Sequence, residues 1–145
     1  TRQAQEDFNQ KLTTKVIIEG NRVFVPVALN NNGTEIETLL LLDTGASQTV
    51  IHRSIADQLN VITISKGLSQ VAGGGTIQTD IGKLSYMKVG PIKMVDPHVL
   101  IISHEGAAVK NQGLLGMNFL RNVQYQIDFQ KQEIRWAPPE KKGRQ

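Results

Sequence analysis

The chain has 145 residues, 39% hydrophobic and 20% charged, the balance of one globular domain, and no apolar run approaches the ~18 residues of a membrane-crossing helix. Its net charge of +3 sits at the ends: residues 1–15 hold three basic against two acidic side chains, the stretch after Trp136 three against one, and the remainder ten against ten. With no basic face, only one Trp, two Tyr and four Phe, and no cysteine, nucleic-acid binding, disulfides, thiolate catalysis and Cys-based zinc sites are set aside.

Residues 1–14 are polar, with Ala4, Phe8 and Leu12 at a spacing of four. They read either as a lead-in helix with one narrow apolar stripe or as a linker. A first residue of Thr, not Met, is compatible with an upstream signal or anchor segment. From Lys15 the composition becomes rich in β-branched residues. Glu19-Gly20-Asn21-Arg22 and Asn30-Asn31-Asn32-Gly33 read as hairpin turns, since Asn and Gly accept positive φ at little cost. Pro26 cannot donate to a ladder and predicts an edge position or a bulge. A short helix is predicted over Arg53 to Leu59, with Ile55, Ala56 and Leu59 on one face. VITIS, TIQTDIG, KLSYMKVG, PIKM and HVLIIS follow as short strands, broken at Gly82, Gly90 and Pro91. A second short helix is expected from about Met117 to Arg121, then a last hairpin of VQYQIDF and QEIRW around Gln130-Lys131. Strands this short and frequent indicate an all-β barrel or sandwich, not βαβ units. The expected division is a polar lead-in over 1–14, one domain over 15–137 and a solvated tail over 138–145.

The stretch LLLLDTGASQTVI at 39–51 sets a carboxylate at the end of a leucine run. A charged group there must have its lone pairs met by N–H and O–H donors. Gly45 lets main-chain amides approach it, and Thr44 offers a hydroxyl to a neighbouring segment. Asp-Thr-Gly by itself is a common strand-end turn. Its context is more specific: VAGGGTIQT follows at 71–79 and GLLGMNFL at 113–120.

Taken in order, these three segments resemble the retropepsin-like aspartic proteases, the bacterial branch more than the viral one. The resemblance implies an all-β acid-protease barrel with one or two short helices. It implies that Asp43 is the catalytic aspartate, that Thr44 grips its counterpart in another subunit, and that Gly45 and Ala46 line the cleft. It places Ala72, Gly73, Gly74, Gly75 and Thr76 near the tip of a mobile flap over the peptide. Leu114, Leu115 and Gly116 become the support beneath the aspartate loop. It implies a peptide or protein substrate, a homodimer, no cofactor or metal, and a place on the periplasmic side of a bacterial envelope through an anchor outside this chain. In viral members an acidic residue after the DTGA turn pairs with an arginine after the late glycine. Here those places hold Ser47-Gln48 and Met117-Asn118.

Hydrolysing an amide with water needs a base for the water and an acid for the carbonyl oxygen and the leaving nitrogen. Two carboxylates ~3 Å apart do both by sharing one proton. Of Asp7, Asp43, Asp57, Asp80, Asp96 and Asp128, only Asp43 lies in Asp-Thr-Gly, so its partner is expected to be Asp43 of a second copy on a two-fold axis. The alternative is a catalytically weak or silent binding or assembly module, monomeric in isolation. Other constellations carry less. Asp96, His98, His104 and Glu105 lack metal-ligand spacing and read as loop residues. Ser47, His52 and Asp57 lack a nucleophile elbow. Gly73-Gly74-Gly75 lacks the Lys and helix of a phosphate loop. Trp136 reads as packing.

Overall fold

A helix opens the chain. In the computed structural model, which describes residues 1–70, 73–103 and 113–138, α1 (Arg2–Lys11) starts at Thr1, whose hydroxyl accepts from the Ala4 N–H at 3.1 Å. It buries none of its own residues, and Phe8 stays half exposed. Just beyond its end, Leu12 and Val16 are buried, and β1 (Thr13–Lys15) lies between them.

β1 joins β12 (Tyr125–Asp128) and β13 (Glu133–Trp136) in a three-stranded sheet of order β1-β13-β12. Trp136 is the pin of this unit. Its indole N–H donates to Thr14 Oγ1 at 2.8 Å, its backbone N–H donates to Leu12 O at 2.7 Å, and its ring meets Phe119 edge-on with centroids 6.1 Å apart.

All other strands form one ten-stranded sheet that curls into a half-barrel. β2 (Ile17–Glu19) turns at Gly20 into β3 (Arg22–Asn31). β3 turns at Asn32-Gly33, with φ of 51° and 90°, into β4 (Thr34–Leu42). These are the positive-φ hairpin turns the sequence called for. Next come β5 (Val50–His52), α2 (Arg53–Gln58), β6 (Thr63–Gln70), β7 (Thr76–Lys83), β8 (Tyr86–Val89), β9 (Ile92–Val95), β10 (His98–Ile102), β11 (Gly113–Leu115) and α3 (Met117–Leu120). The order is β6-β7-β10-β5-β11-β4-β3-β8-β9, with β2 on β3. Both short helices expected within the domain form, and α1 makes a third.

Pro26 lies in an interior strand, not at a sheet edge. β4 pairs along one side of β3, but on the other β2 reaches only Arg22–Phe24 and β8 only Ala28–Asn30. Pro26 sits in the gap between them, where a missing N–H costs no ladder bond. The core runs through Val25, Val27, Leu29, Leu40, Ile51, Met87, Ile101, Leu115 and Phe119, with Ile55, Ala56 and Leu59 of α2 packed on it.

Candidate active site

Three strands build the cradle of Asp43. β11 is wedged between β4 and β5: it runs parallel to β4, with Leu114 beside Leu41 and Leu115 beside Leu42, and antiparallel to β5, with Leu114 beside Val50. The wedge is dry, since Leu115 and Ile51 are fully buried. Asp43 is the first residue past β4, and its N–H donates to Leu115 O at 3.0 Å. Its Oδ1 accepts the Gly45 N–H at 2.9 Å. The Ala46 N–H closes the turn onto Asp43 O at 3.2 Å. The carboxylate thus accepts one main-chain donor, the Gly45 N–H, while the other two bonds fix the Asp43 backbone; Asp43 is half-buried, and Thr44 and Gly45 are exposed.

The glycines of this region are needed for space. A Cβ on Gly116 would lie 2.3 Å from Gln48 O, 2.4 Å from Gln48 C and 2.9 Å from Ala46 O. One on Gly113 would lie 1.8 Å from Val50 O. A Cβ on Gly45 would press on Asp43 Oδ1 at 3.2 Å. Backbone therefore threads directly beneath backbone. Met117 N–H reaches Ala46 O at 2.7 Å and Asn118 N–H reaches Ser47 O at 3.1 Å, so the start of α3 grips the far side of the loop.

One residue at the centre of this grip was not singled out from the sequence. Asn118 Oδ1 accepts from both the Thr49 N–H at 2.9 Å and the Thr49 hydroxyl at 2.8 Å, and Thr49 Oγ1 in turn accepts from the Gly116 N–H at 3.2 Å. Thr49 is fully buried, so this network satisfies donors that water cannot reach. The Asn118 amide also donates to His98 O at 3.4 Å. Neutral hydrogen bonds hold the loop here. The only prior signal was Asn118 itself, two residues after Gly116.

The glycine-rich segment caps a hairpin. β6 and β7 pair from Thr63↔Gly82 to Gln70↔Thr76. Gly73 and Gly74 take φ of 97° and 93° at its tip, and Gly73, Gly74, Gly75 and Thr76 are exposed. Ala72 lies outside the described residues. Among the described residues, β10 supports only the lower part of β7, from Thr79 to Lys83, and Thr76–Gln78 and the facing Leu68–Gln70 pair with each other alone.

At the point where that support ends lies Asp80, which is buried. Arg53, the first residue of α2, donates to its carboxylate, and Gln78 Nε2 donates to Oδ1 at 3.3 Å. Burial pushes the Asp80 carboxyl up, but the bonds from Arg53 and Gln78 and the charges of Arg53 and Lys66 outweigh it and hold it below the ordinary range. At the opposite end of the sheet, hydrogen bonds from Tyr86, at 2.6 Å, and from Asn30 hold the Glu35 carboxyl low, and the bond to Glu35 pushes the Tyr86 hydroxyl up.

His52 Nδ1 accepts the Ser54 N–H at 3.2 Å and caps α2. His104 and Glu105 lie outside the described residues, and among those described no group of three metal-ligating side chains occurs. A cavity of about 470 Å³ opens between Phe8 and Leu12 on one side and Tyr125, Trp136 and Pro138 on the other. None of the aspartate-loop residues lines it. Among the described residues no helix is long and apolar enough to cross a membrane.

A family model described as aspartyl protease matches residues 25–119. Among solved structures, the chain is similar to a retropepsin-like aspartic protease from Rickettsia conorii, with a TM-score of 0.59 and 16% identity over 84% of this chain and 94% of that one. It is also similar to the EIAV protease in complex with an inhibitor (TM-score 0.54, 18% identity, 72% of this chain and 92% of that one). A third likeness is to the retroviral protease-like domain of Ddi1 from Leishmania major (TM-score 0.52, 15% identity, 83% and 97%). No curated protein matches the chain.

Proposed function

The chain belongs to the aspartyl protease family and has the retropepsin-like fold, and from that premise we propose that it is a homodimeric aspartic endopeptidase whose two Asp43 carboxylates, one per subunit, activate water together. The observation that carries this reading is the placement of Asp43. It is held by the Leu115 carbonyl and the Gly45 N–H, yet its loop opens to solvent through exposed Thr44 and Gly45. A carboxylate aimed so firmly at a surface is poised to meet something outside its own chain. One chain contributes half of a dyad and one wall of a cleft.

In the paired state the two carboxylates hold one proton between them. The ionised one takes a proton from water as the water oxygen bonds to the scissile carbonyl carbon. The protonated one gives its proton to the carbonyl oxygen. The tetrahedral intermediate collapses as the C–N bond breaks and the leaving nitrogen takes up a proton from the pair. Thr44 would bond across the axis, Gly45 and Ala46 would line the floor, and the hairpin tip from Ala72 to Thr76 would act as the flap. Leu114, Leu115 and Gly116 would keep the floor in register. An extended peptide would be held by strand-like main-chain bonds.

Asp43→Asn should abolish proteolysis, by about 10³-fold or more, without loss of fold. Proteolysis that survives in the purified variant excludes Asp43 as the base. Sedimentation of the native chain across concentration tests the pairing. A strict monomer that still cleaves overturns the shared dyad, and a monomer that does not cleave favours a silent binding or assembly module.

A further inference from the structure

The Arg53–Asp80 pair joins two parts of the molecule that the aspartate-loop chemistry does not itself use. Arg53 opens α2, directly after β5, and is thus tied to the rigid wall that carries the aspartate loop. Its Nε also donates to Ser103 Oγ at 3.4 Å, just past β10. Asp80 belongs to β7. Its position opposes Ile101 of β10 on one side and Lys66 of β6 on the other, and β10 pairs with β7 for only one residue beyond it, at Thr79. Exposure changes at the same place: Thr79 and Asp80 are buried, while Gln78 and Thr76 are exposed. The pair therefore sits where the hairpin leaves the body of the sheet.

We propose that Arg53 and Asp80 are positioning residues that latch the root of the β6–β7 hairpin and set how readily its free end lifts. The nature of the contact suits that role. An apolar root would resist opening in proportion to the area it exposes to water. A buried ion pair nearly breaks even between burial and hydration, so it fixes one geometry while leaving the open and closed states close in free energy. The charged groups facing Asp80 are Arg53 from α2 and Lys66 from β6; β10 faces it with Ile101. Arg53 is the one that reaches across to another element of the wall. The latch as a gate for a peptide rests on the endopeptidase reading above; the latch as a restraint on the hairpin does not.

Amide hydrogen exchange of Asp80→Asn against the native chain tests it. Exchange should rise about tenfold in the hairpin over residues 64–70 and 76–79, while β3 and β4 keep their protection. If the variant cleaves, KM for a peptide should change more than kcat. The double variant Arg53→Asp with Asp80→Arg should restore much of the protection. Should Asp80→Asn not fold, Arg53→Lys, which keeps the charge and loses the fork, is measured in the same way. Unchanged hairpin protection, or a rise shared equally by β3 and β4, overturns the latch. Because exchange needs no substrate, a chain that cleaves nothing yet shows the selective rise sinks the endopeptidase reading and leaves the latch standing.

Discussion

The cradle of Asp43 and the β6–β7 hairpin are both made of short strands and glycines, yet they are built to opposite ends. In the cradle, β11 lies between two other strands and the loop is tied at Asp43, Ala46, Ser47 and Thr49. Gly113 and Gly116 stand where another backbone passes within contact distance, and Gly45 stands against the Asp43 carboxylate. In the hairpin, among the described residues, the outer positions pair only with each other, and Gly73 and Gly74 have nothing within 4 Å of where a Cβ would stand. The same residue type thus serves close packing in the cradle, where Gly113 also takes a positive φ, and positive φ in open space at the hairpin tip. The Asp43 turn is surrounded by backbone, and the end of the hairpin has few neighbours among the described residues.

Gly→Ala substitutions break this comparison most directly. Gly116→Ala should destabilise the protein by about 3 kcal/mol or more, because the atoms met are main chain and cannot swing aside. A urea melt should show the loss, and activity should fall with it. A midpoint close to that of the native chain would mean the loop and α3 can separate without penalty, and the rigid cradle would be wrong.

Asn118→Ala comes next. It removes the acceptor for both the Thr49 N–H and the Thr49 hydroxyl, and leaves a buried amide unpaired. The expected cost is about 2 kcal/mol. Asn118→Asp should recover part of it, since the acceptor returns. Both are read from the denaturant midpoint, and a neutral Asn118→Ala would show that water replaces the side chain. Gly73→Ala should have the smallest effect, about 1 kcal/mol, from φ alone. Its signature should be in substrate affinity more than in the melt. A loss as large as that of Gly116→Ala would erase the distinction between the two regions.

Much of this contrast could be read along the chain, but not all of it. The turns at Gly20 and Asn32-Gly33 were evident because their conformations are local and only Asn and Gly take them cheaply. Ile55, Ala56 and Leu59 marked the buried face of α2 through their spacing. Trp136 was read as packing, and it is buried. Pro26 marked a local edge, since one side of β3 is unpaired at that residue, although the strand as a whole is interior. The gap between β2 and β8 appears only when both strands are in place. The role of Asn118 was not legible, because an amide bonding a backbone 69 residues away leaves no periodic trace.

The sequence by itself determined the strand-rich architecture, the hairpin turns, and the aspartate at the end of an apolar run with glycines spaced around it. These follow from backbone preferences and alternation over a few residues. The tertiary structure alone decided that β11 would enter between β4 and β5, that Asn118 would reach Thr49, and that Arg53 would find Asp80 at the hairpin root. Such contacts depend on which strands become neighbours, and a pattern of period two specifies which face of a strand is buried without specifying what lies beside it.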